Sequence, residues 1–206
     1  MYVIGVTGGS GAGKTIALRA LEKLGAFVFE CDAIYHGLLA TNESMKSEIA
    51  ARFGGVLIDG TVDRKRLGEV VFNDPSALLE LNAITHMYIS EEVTRRLSKL
   101  KPQKKAVAAI EHITLIENGL YKLCDSTVAI AAPAENRIRR IMSRDNITRS
   151  QGFTRIAAQK PDSFYAENCD YVLDNTFDTS IEFEEKCKAF FIGLLEASLH
   201  LNDCFA

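Results

Sequence analysis

Apolar and polar positions along this chain follow two periods. Short apolar runs at Tyr2-Val3-Ile4-Gly5-Val6-Thr7, 26–30 (Ala-Phe-Val-Phe-Glu), 106–111, 126–132 and Tyr171-Val172-Leu173-Asp174-Asn175 read as buried strands. Between them, apolar residues recur at helical spacing. Ile16, Leu18, Leu21 and Leu24 form one such face, stopped by Gly25, and Ile49, Phe53 and Val56 close a second. Asp59-Gly60-Thr61-Val62-Asp63-Arg64 predicts a turn and a capped helix start, with Leu67, Val70, Val71 and Phe72 as the apolar face up to Asp74-Pro75. A long helix is predicted from near Ser76 to Leu100, with Leu78, Leu81, Ile84, Tyr88, Ile89, Val93 and Leu97 along its stripe, before Lys104-Lys105 leads into the third strand. After the fourth strand, Arg137, Arg140 and Arg144 fall on one face of a helix, and a second helix carries Arg155, Ile156 and Gln159 until Lys160-Pro161 breaks it. Thr179-Ser180-Ile181-Glu182 opens a closing helix packed through Cys187, Phe190, Phe191, Leu194 and Leu195.

Strands alternating with helices predict an α/β fold, a doubly wound parallel five-stranded sheet. The long helical stretch between the second and third strands exceeds a simple crossover, so two helical insertions are expected on the C-terminal rim. The expected division is a core first part over 1–58 and a helical substrate insertion over 59–104. Then come a second core part over 105–133, an arginine-bearing lid over 134–165, and the last strand and helix over 166–206.

One stretch adds chemistry to this frame. Gly8-Gly9-Ser10-Gly11-Ala12-Gly13-Lys14-Thr15 fits G-x-x-x-x-G-K-[ST] at every fixed position, between a predicted strand and a predicted helix. Glycines let successive N–H groups turn inward on phosphate oxygens, and the helix start adds its positive dipole end. Lys14 would reach the β- and γ-phosphates, and the Thr15 hydroxyl would help hold Mg²⁺. The pattern predicts a bound nucleoside triphosphate and a sheet of the P-loop kinase type, one insertion holding an acceptor and the other closing as a lid.

Composition narrows the setting. Apolar residues make up 47% and charged residues 25% of 206, an ordinary globular balance, and a net charge of −3 gives no reason to expect nucleic-acid or membrane affinity. The five cysteines, Cys31, Cys124, Cys169, Cys187 and Cys204, are scattered without a C-x-x-C pair, as reduced thiols of a cytoplasmic protein would be. Met1 runs directly into the first strand, leaving no room for a signal peptide, and no apolar run reaches membrane-spanning length. A monomer or small homo-oligomer acting on a small molecule is expected.

Candidate catalytic groups follow from the rim. Asp32, just past the second strand, is the candidate for orienting an acceptor hydroxyl and taking its proton, although an Asp there is often a helix cap. Glu30 and Glu111 share that rim, and Glu111 has the alternative of a metal-held water. From Glu135 to Arg149 there are five arginines and two acids, too few to pair them off, so lid arginines can face a phosphoryl group. His36 reads as surface, and His86 and His112 carry weak signals alone. These readings leave open a kinase of any small hydroxyl acceptor, or a nucleotide-binding regulator without transfer.

The chain resembles the dephospho-coenzyme A kinase family. The resemblance rests on the opening G-V-T-G-G-S-G-A-G-K-T, the run L-G-A-F-V-F-E-C-D, and F-G-G at Phe53. It extends through Asp59-Gly60-x-x-Asp63-Arg64-x-x-Leu67 with Val71-Phe72, and Leu81-Asn82-x-Ile84-x-His86. It continues with Arg140-x-x-x-Arg144-Asp145, Arg155-Ile156-x-x-Gln159 and Asp170-Tyr171-Val172-Leu173-Asp174-Asn175, covering nearly the whole chain in order. It implies ATP-dependent phosphorylation of the ribose 3′-hydroxyl of dephospho-coenzyme A, with Mg²⁺. By resemblance Asp32, Lys14, Arg140 and Arg144 are catalytic, and Gly9 to Ile16 with Asn175 contact the nucleotide. Asp63, Arg64, His86 and Glu111, with Asp32, contact the acceptor. Four departures stand out. Glu30-Cys31-Asp32 keeps one acid of the usual Asp-x-Asp, Ile16 replaces a hydroxyl residue, Met87 replaces Pro, and Glu111-His112-Ile113-Thr114-Leu115 replaces Asp-x-Pro-Leu-Leu.

Overall fold

The structure is a computed structural model that describes residues 1–71, 74–100 and 106–203, with only the helical backbone for 199–203. Phe72, Lys104, Lys105 and Cys204, used in the sequence reading, lie outside the described residues. Two compact units emerge, one of Met1–Phe29 with Leu100–Ala206 and one of Glu30–Lys99.

The first unit holds the sheet. Its strands are β1 (Tyr2–Thr7), β2 (Phe27–Glu30), β5 (Val107–Glu111), β6 (Ser126–Ala131) and β7 (Tyr171–Asp174), with β3 (Leu57–Ile58) and β4 (Thr61–Val62) in the other unit. Their order is β2-β5-β1-β6-β7, and β1 pairs in parallel with β5 and β6, as β6 does with β7. All five expected strands are present. In the centre, β1 is buried on both faces, so its side chains divide between two layers. Ile4 and Val6 join α1 (Lys14–Lys23) and α9 (Ser180–Asp203) in a core with Leu18, Leu21, Phe183 and Phe191. Gly5 faces the other layer, where a Cβ would lie 2.7 Å from Leu115 and 2.9 Å from the Cys124 sulfur.

Helix ends follow the expected chemistry. The amide of Ala26 donates to the Leu21 carbonyl and that of Gly25 to Glu22, the paired bonds of a Schellman stop after α1. At α9 the Glu182 amide donates to Thr179 Oγ1 and that hydroxyl donates to the Glu182 carboxylate. Between β6 and β7 run α6 (Ala134–Asp145), α7 (Arg149–Ala157) and α8 (Asp162–Asn168). The sequence reading has α6 and α7 but takes Pro161 only as a breaker. It is also the N-cap of α8, because Pro is tolerated at a helix start.

The second unit contains α2 (Cys31–Thr41), α3 (Glu43–Phe53), the strands β3 (Leu57–Ile58) and β4 (Thr61–Val62), α4 (Arg64–Val71) and most of α5 (Pro75–Leu100). It begins at Glu30 rather than at residue 59, because Leu39, Met45 and Ile49 share one core with Val62, Leu67, Val71 and Leu81. The Asp59-Gly60 turn closes a small antiparallel hairpin, both residues at positive φ as a type I′ turn requires. Val70, expected on the apolar face of α4, is exposed, since Leu67 and Val71 one turn apart already fill it. Asp74 does more than end a helix. Its carboxylate accepts from the Ser76 and Ala77 amides and caps α5.

Candidate active site

The loop between β1 and α1 is shaped by what presses on it. Gly13 caps α1 at φ 115°, and a Cβ there would lie 2.4 Å from Asn175 Nδ2. Asn175, which follows β7 and is 3% exposed, donates that nitrogen to the Ala12 carbonyl at 2.7 Å. Arg140 in α6 completes the grip. One of its guanidinium nitrogens reaches the Gly11 and Ala12 carbonyls at 3.2 and 3.3 Å. The other reaches Asn175 Oδ1 at 3.3 Å and the Phe177 carbonyl at 3.1 Å. Burial, aided by neighbouring Arg139, lowers the Arg140 pKa, yet a guanidinium keeps its charge.

Lys14 opens α1 and folds back along the loop. Its Nζ donates to the Gly8 carbonyl at 3.0 Å and lies 3.5 Å from Glu111 Oε1 at the end of β5, both side chains largely shielded from water. Thr15 beside it is exposed. The neighbouring His112 is buried, and its Nδ1 accepts from the Thr114 amide at 3.2 Å, which puts the ring proton of the neutral form on Nε2.

Several expected contacts fall elsewhere. Ile16 packs its side chain against the core and donates its amide to the Gly13 carbonyl. Arg144 does not reach the loop. It is exposed and holds Asp145 by two bonds of 2.7 and 2.9 Å, and Arg155 grips the same carboxylate. These bonds, Arg144's first, bring the Asp145 pKa down to about 2. In its place stands Arg137, 4% exposed, which together with Gln159 touches Ser10. Arg137 is one of the lid arginines expected to face a phosphoryl group, and Gln159 stands in the Arg155-Ile156-x-x-Gln159 motif, but the sequence reading gives neither a specific role in the site.

In the second unit, Asp32 lies exposed in the first turn of α2, whose N-cap is Glu30, so capping is not its role. Asp63 caps α4, accepting from the Lys65 and Arg66 amides at 3.0 and 3.1 Å, and exposed Arg64 opens that helix. His86 is half-buried on α5, and burial lowers its pKa, favouring neutral imidazole near pH 7. The thiols are quiet. Burial is the main cause pushing Cys124 and Cys187 up to about 12 and Cys169 to about 11, and Cys31 is fully buried. Among the described residues no helix is long and apolar enough to cross a membrane.

A glycine loop after the central strand of a parallel sheet, with its lysine at the mouth and an arginine clamp from the last insertion, defines a P-loop kinase. The sequence profile of dephospho-CoA kinase matches residues 2–181. The chain belongs to the dephospho-CoA kinase family, as the sequence motifs indicated. It is 38% identical over 177 residues to the dephospho-CoA kinase of Geobacter sulfurreducens, covering 85% of this chain and 90% of that protein. Among solved structures, TT1252 from Thermus thermophilus is 30% identical with a TM-score of 0.77, covering 95% of this chain and 97% of that one. The fold is shared as well with a dephospho-CoA kinase from Campylobacter jejuni, at 24% identity, a TM-score of 0.70, and coverage of 95% and 98%.

Proposed function

We propose that this chain transfers the γ-phosphoryl group of ATP to the ribose 3′-hydroxyl of dephospho-coenzyme A, giving coenzyme A and ADP. The observation that carries the reading is the loop itself. Its lysine rests on a carbonyl and on a carboxylate whose charge a polyphosphate would replace, in a chain whose family match runs over residues 2–181. On binding, Lys14 exchanges Glu111 for β- and γ-phosphate oxygens while loop amides from Gly11 to Thr15 other than that of Ala12, which donates to the Gly9 carbonyl, cradle the remaining charge.

Arg140 donates to carbonyl and amide oxygens, so its positive charge remains to offset the charge that spreads over the equatorial oxygens as the transition state loosens. Arg144, engaged by Asp145, has no such part in this arrangement. Asp32 orients the acceptor hydroxyl and takes its proton. Asp63, Arg64 and His86 belong to the acceptor insertion, His86 as a neutral donor or acceptor rather than a cation.

Mg²⁺ prefers hard oxygens from one or two side chains together with substrate phosphates, and the Thr15 hydroxyl with Glu111 at the rim fits that donor set. When bound, the ion neutralises phosphate charge. The protein works in the cytoplasm on a small molecule, as a monomer or small homo-oligomer.

Coupled ADP release with dephospho-coenzyme A against a panel of nucleosides and small alcohols tests the reading. Turnover confined to dephospho-coenzyme A is expected. Turnover on another acceptor only, or ATP binding without turnover on any, overturns it.

A further inference from the structure

Every polar atom of Ser10, the third residue of the phosphate loop, is held from the segment between β6 and β7. Its amide donates to Gln159 Oε1 at 2.9 Å, and its hydroxyl accepts from Gln159 Nε2 at 2.7 Å. Its carbonyl accepts from Arg137 Nε at 3.0 Å. The two gripping residues are joined as well, Arg137 Nη2 donating to Gln159 Oε1 at 2.8 Å, while Arg137 Nη1 lies 3.4 Å from Asp162. Two obligate donors converge on one atom of Gln159, which fixes that atom as the carboxamide oxygen.

The neighbouring position is shaped by this grip. A Cβ on Gly9 would lie 2.0 Å from Arg137 Nη2 and 2.9 Å from Gln159 Oε1, so only glycine leaves room for the pair. Lys14 Nζ rests on the Gly8 carbonyl, which sets the cation for the terminal phosphates against this same half of the loop.

We propose that Gln159 is a positioning residue for phosphoryl transfer. Together with Arg137 it fixes the Ser10 peptide, and so the loop half bordering the terminal phosphate, before nucleotide arrives. This rests on the triphosphate reading of the loop. A loop shaped in advance costs no ordering entropy at binding; an untethered one does, and that cost falls on the nucleotide and not on the acceptor.

The test is Gln159→Met, close in shape but without the carboxamide that donates to the Ser10 hydroxyl and accepts from the Ser10 amide and Arg137, with steady-state kinetics, direct MgATP titration and thermal melting on the full chain. The KM for MgATP should rise about tenfold, part of the loss expected from breaking the three hydrogen bonds of Gln159, two with Ser10 and one from Arg137. The KM for dephospho-coenzyme A should stay within about twofold, and the variant should still melt in one cooperative step, at a temperature lowered by about 4–12 °C for the bonds it loses. An unchanged KM for MgATP overturns the proposal, as does a rise in both KM values together with a collapse in melting temperature.

Hydrogen exchange supplies a second measurement on the unaltered protein, free of nucleotide. The Ser10 amide should be protected there, and an amide exchanging at the rate of a free loop overturns the proposal even if the variant does not fold. Failure of the wild type to bind MgATP would instead overturn the loop reading. Normal wild-type binding with an unaltered variant removes Gln159 alone.

Discussion

Replacing Asn175 by Ala tests how far the nucleotide loop depends on one amide side chain. The substitution removes a short bond to the Ala12 carbonyl at 2.7 Å and a longer one from Arg140 at 3.3 Å. A buried neutral hydrogen bond contributes about 1 kcal/mol and one to a charged group about 1.5–3 kcal/mol, with the long Arg140 contact at the lower end. Ala12 keeps its bond from Arg140 at 3.3 Å, so no carbonyl is orphaned and no further penalty is added. The sum is a loss of about 2–3 kcal/mol. At about 2–4 °C per kcal/mol for a chain of this size, the melting temperature should fall by about 4–12 °C.

Because the lost bonds hold the loop, part of the loss should reappear as weaker nucleotide binding, about tenfold for each 1.4 kcal/mol. Urea denaturation with and without MgATP, beside calorimetric titration, measures both effects. Asn175→Ala with the midpoint and the MgATP affinity of the wild type would refute the reasoning.

Three more outcomes are expected. Asp32→Asn should cut turnover by about 10²-fold or more, the contribution of a positioned base, while leaving MgATP affinity within about threefold, and unchanged turnover removes Asp32 from the chemistry. Gly13→Ala should cost about 2–4 kcal/mol in urea titrations, combining backbone strain at φ 115° with displacement of Asn175, and wild-type stability would contradict it. The Asp145 carboxyl is held below its ordinary 3.8, at about 2, so the support of its ion pairs is complete above about pH 4 and is lost as pH falls toward 2. Carbon-detected NMR titration should show that low midpoint, and a midpoint near 4 would mean the pairs do not hold in solution.

Much of this was legible in the sequence because strong periodicity and glycine punctuation carry it. The five strands, the loop and the capped starts at Asp63 and Thr179 all follow local rules. The hairpin at Asp59-Gly60 was not readable as strands, since two residues on each side leave no alternation to detect. Arg144 shows a subtler limit. Helical spacing puts it on the face of Arg137 and Arg140, but seven residues also carry it roughly 10 Å along the axis from Arg137, beyond the loop that the first turns reach. Gln159 was hidden for another reason: it lies past the end of α7 and meets Ser10 across 149 positions, which no local pattern encodes.

The buried thiols make this chain convenient for spectroscopy. With Cys31, Cys124, Cys169 and Cys187 buried or held protonated, and Cys204 replaced by Ser, alkylating dyes should find little to react with at neutral pH. A reporter cysteine at Phe153, 64% exposed on α7, would then be the one bright position, a fluorescent window on the arginine-bearing helices while nucleotide comes and goes.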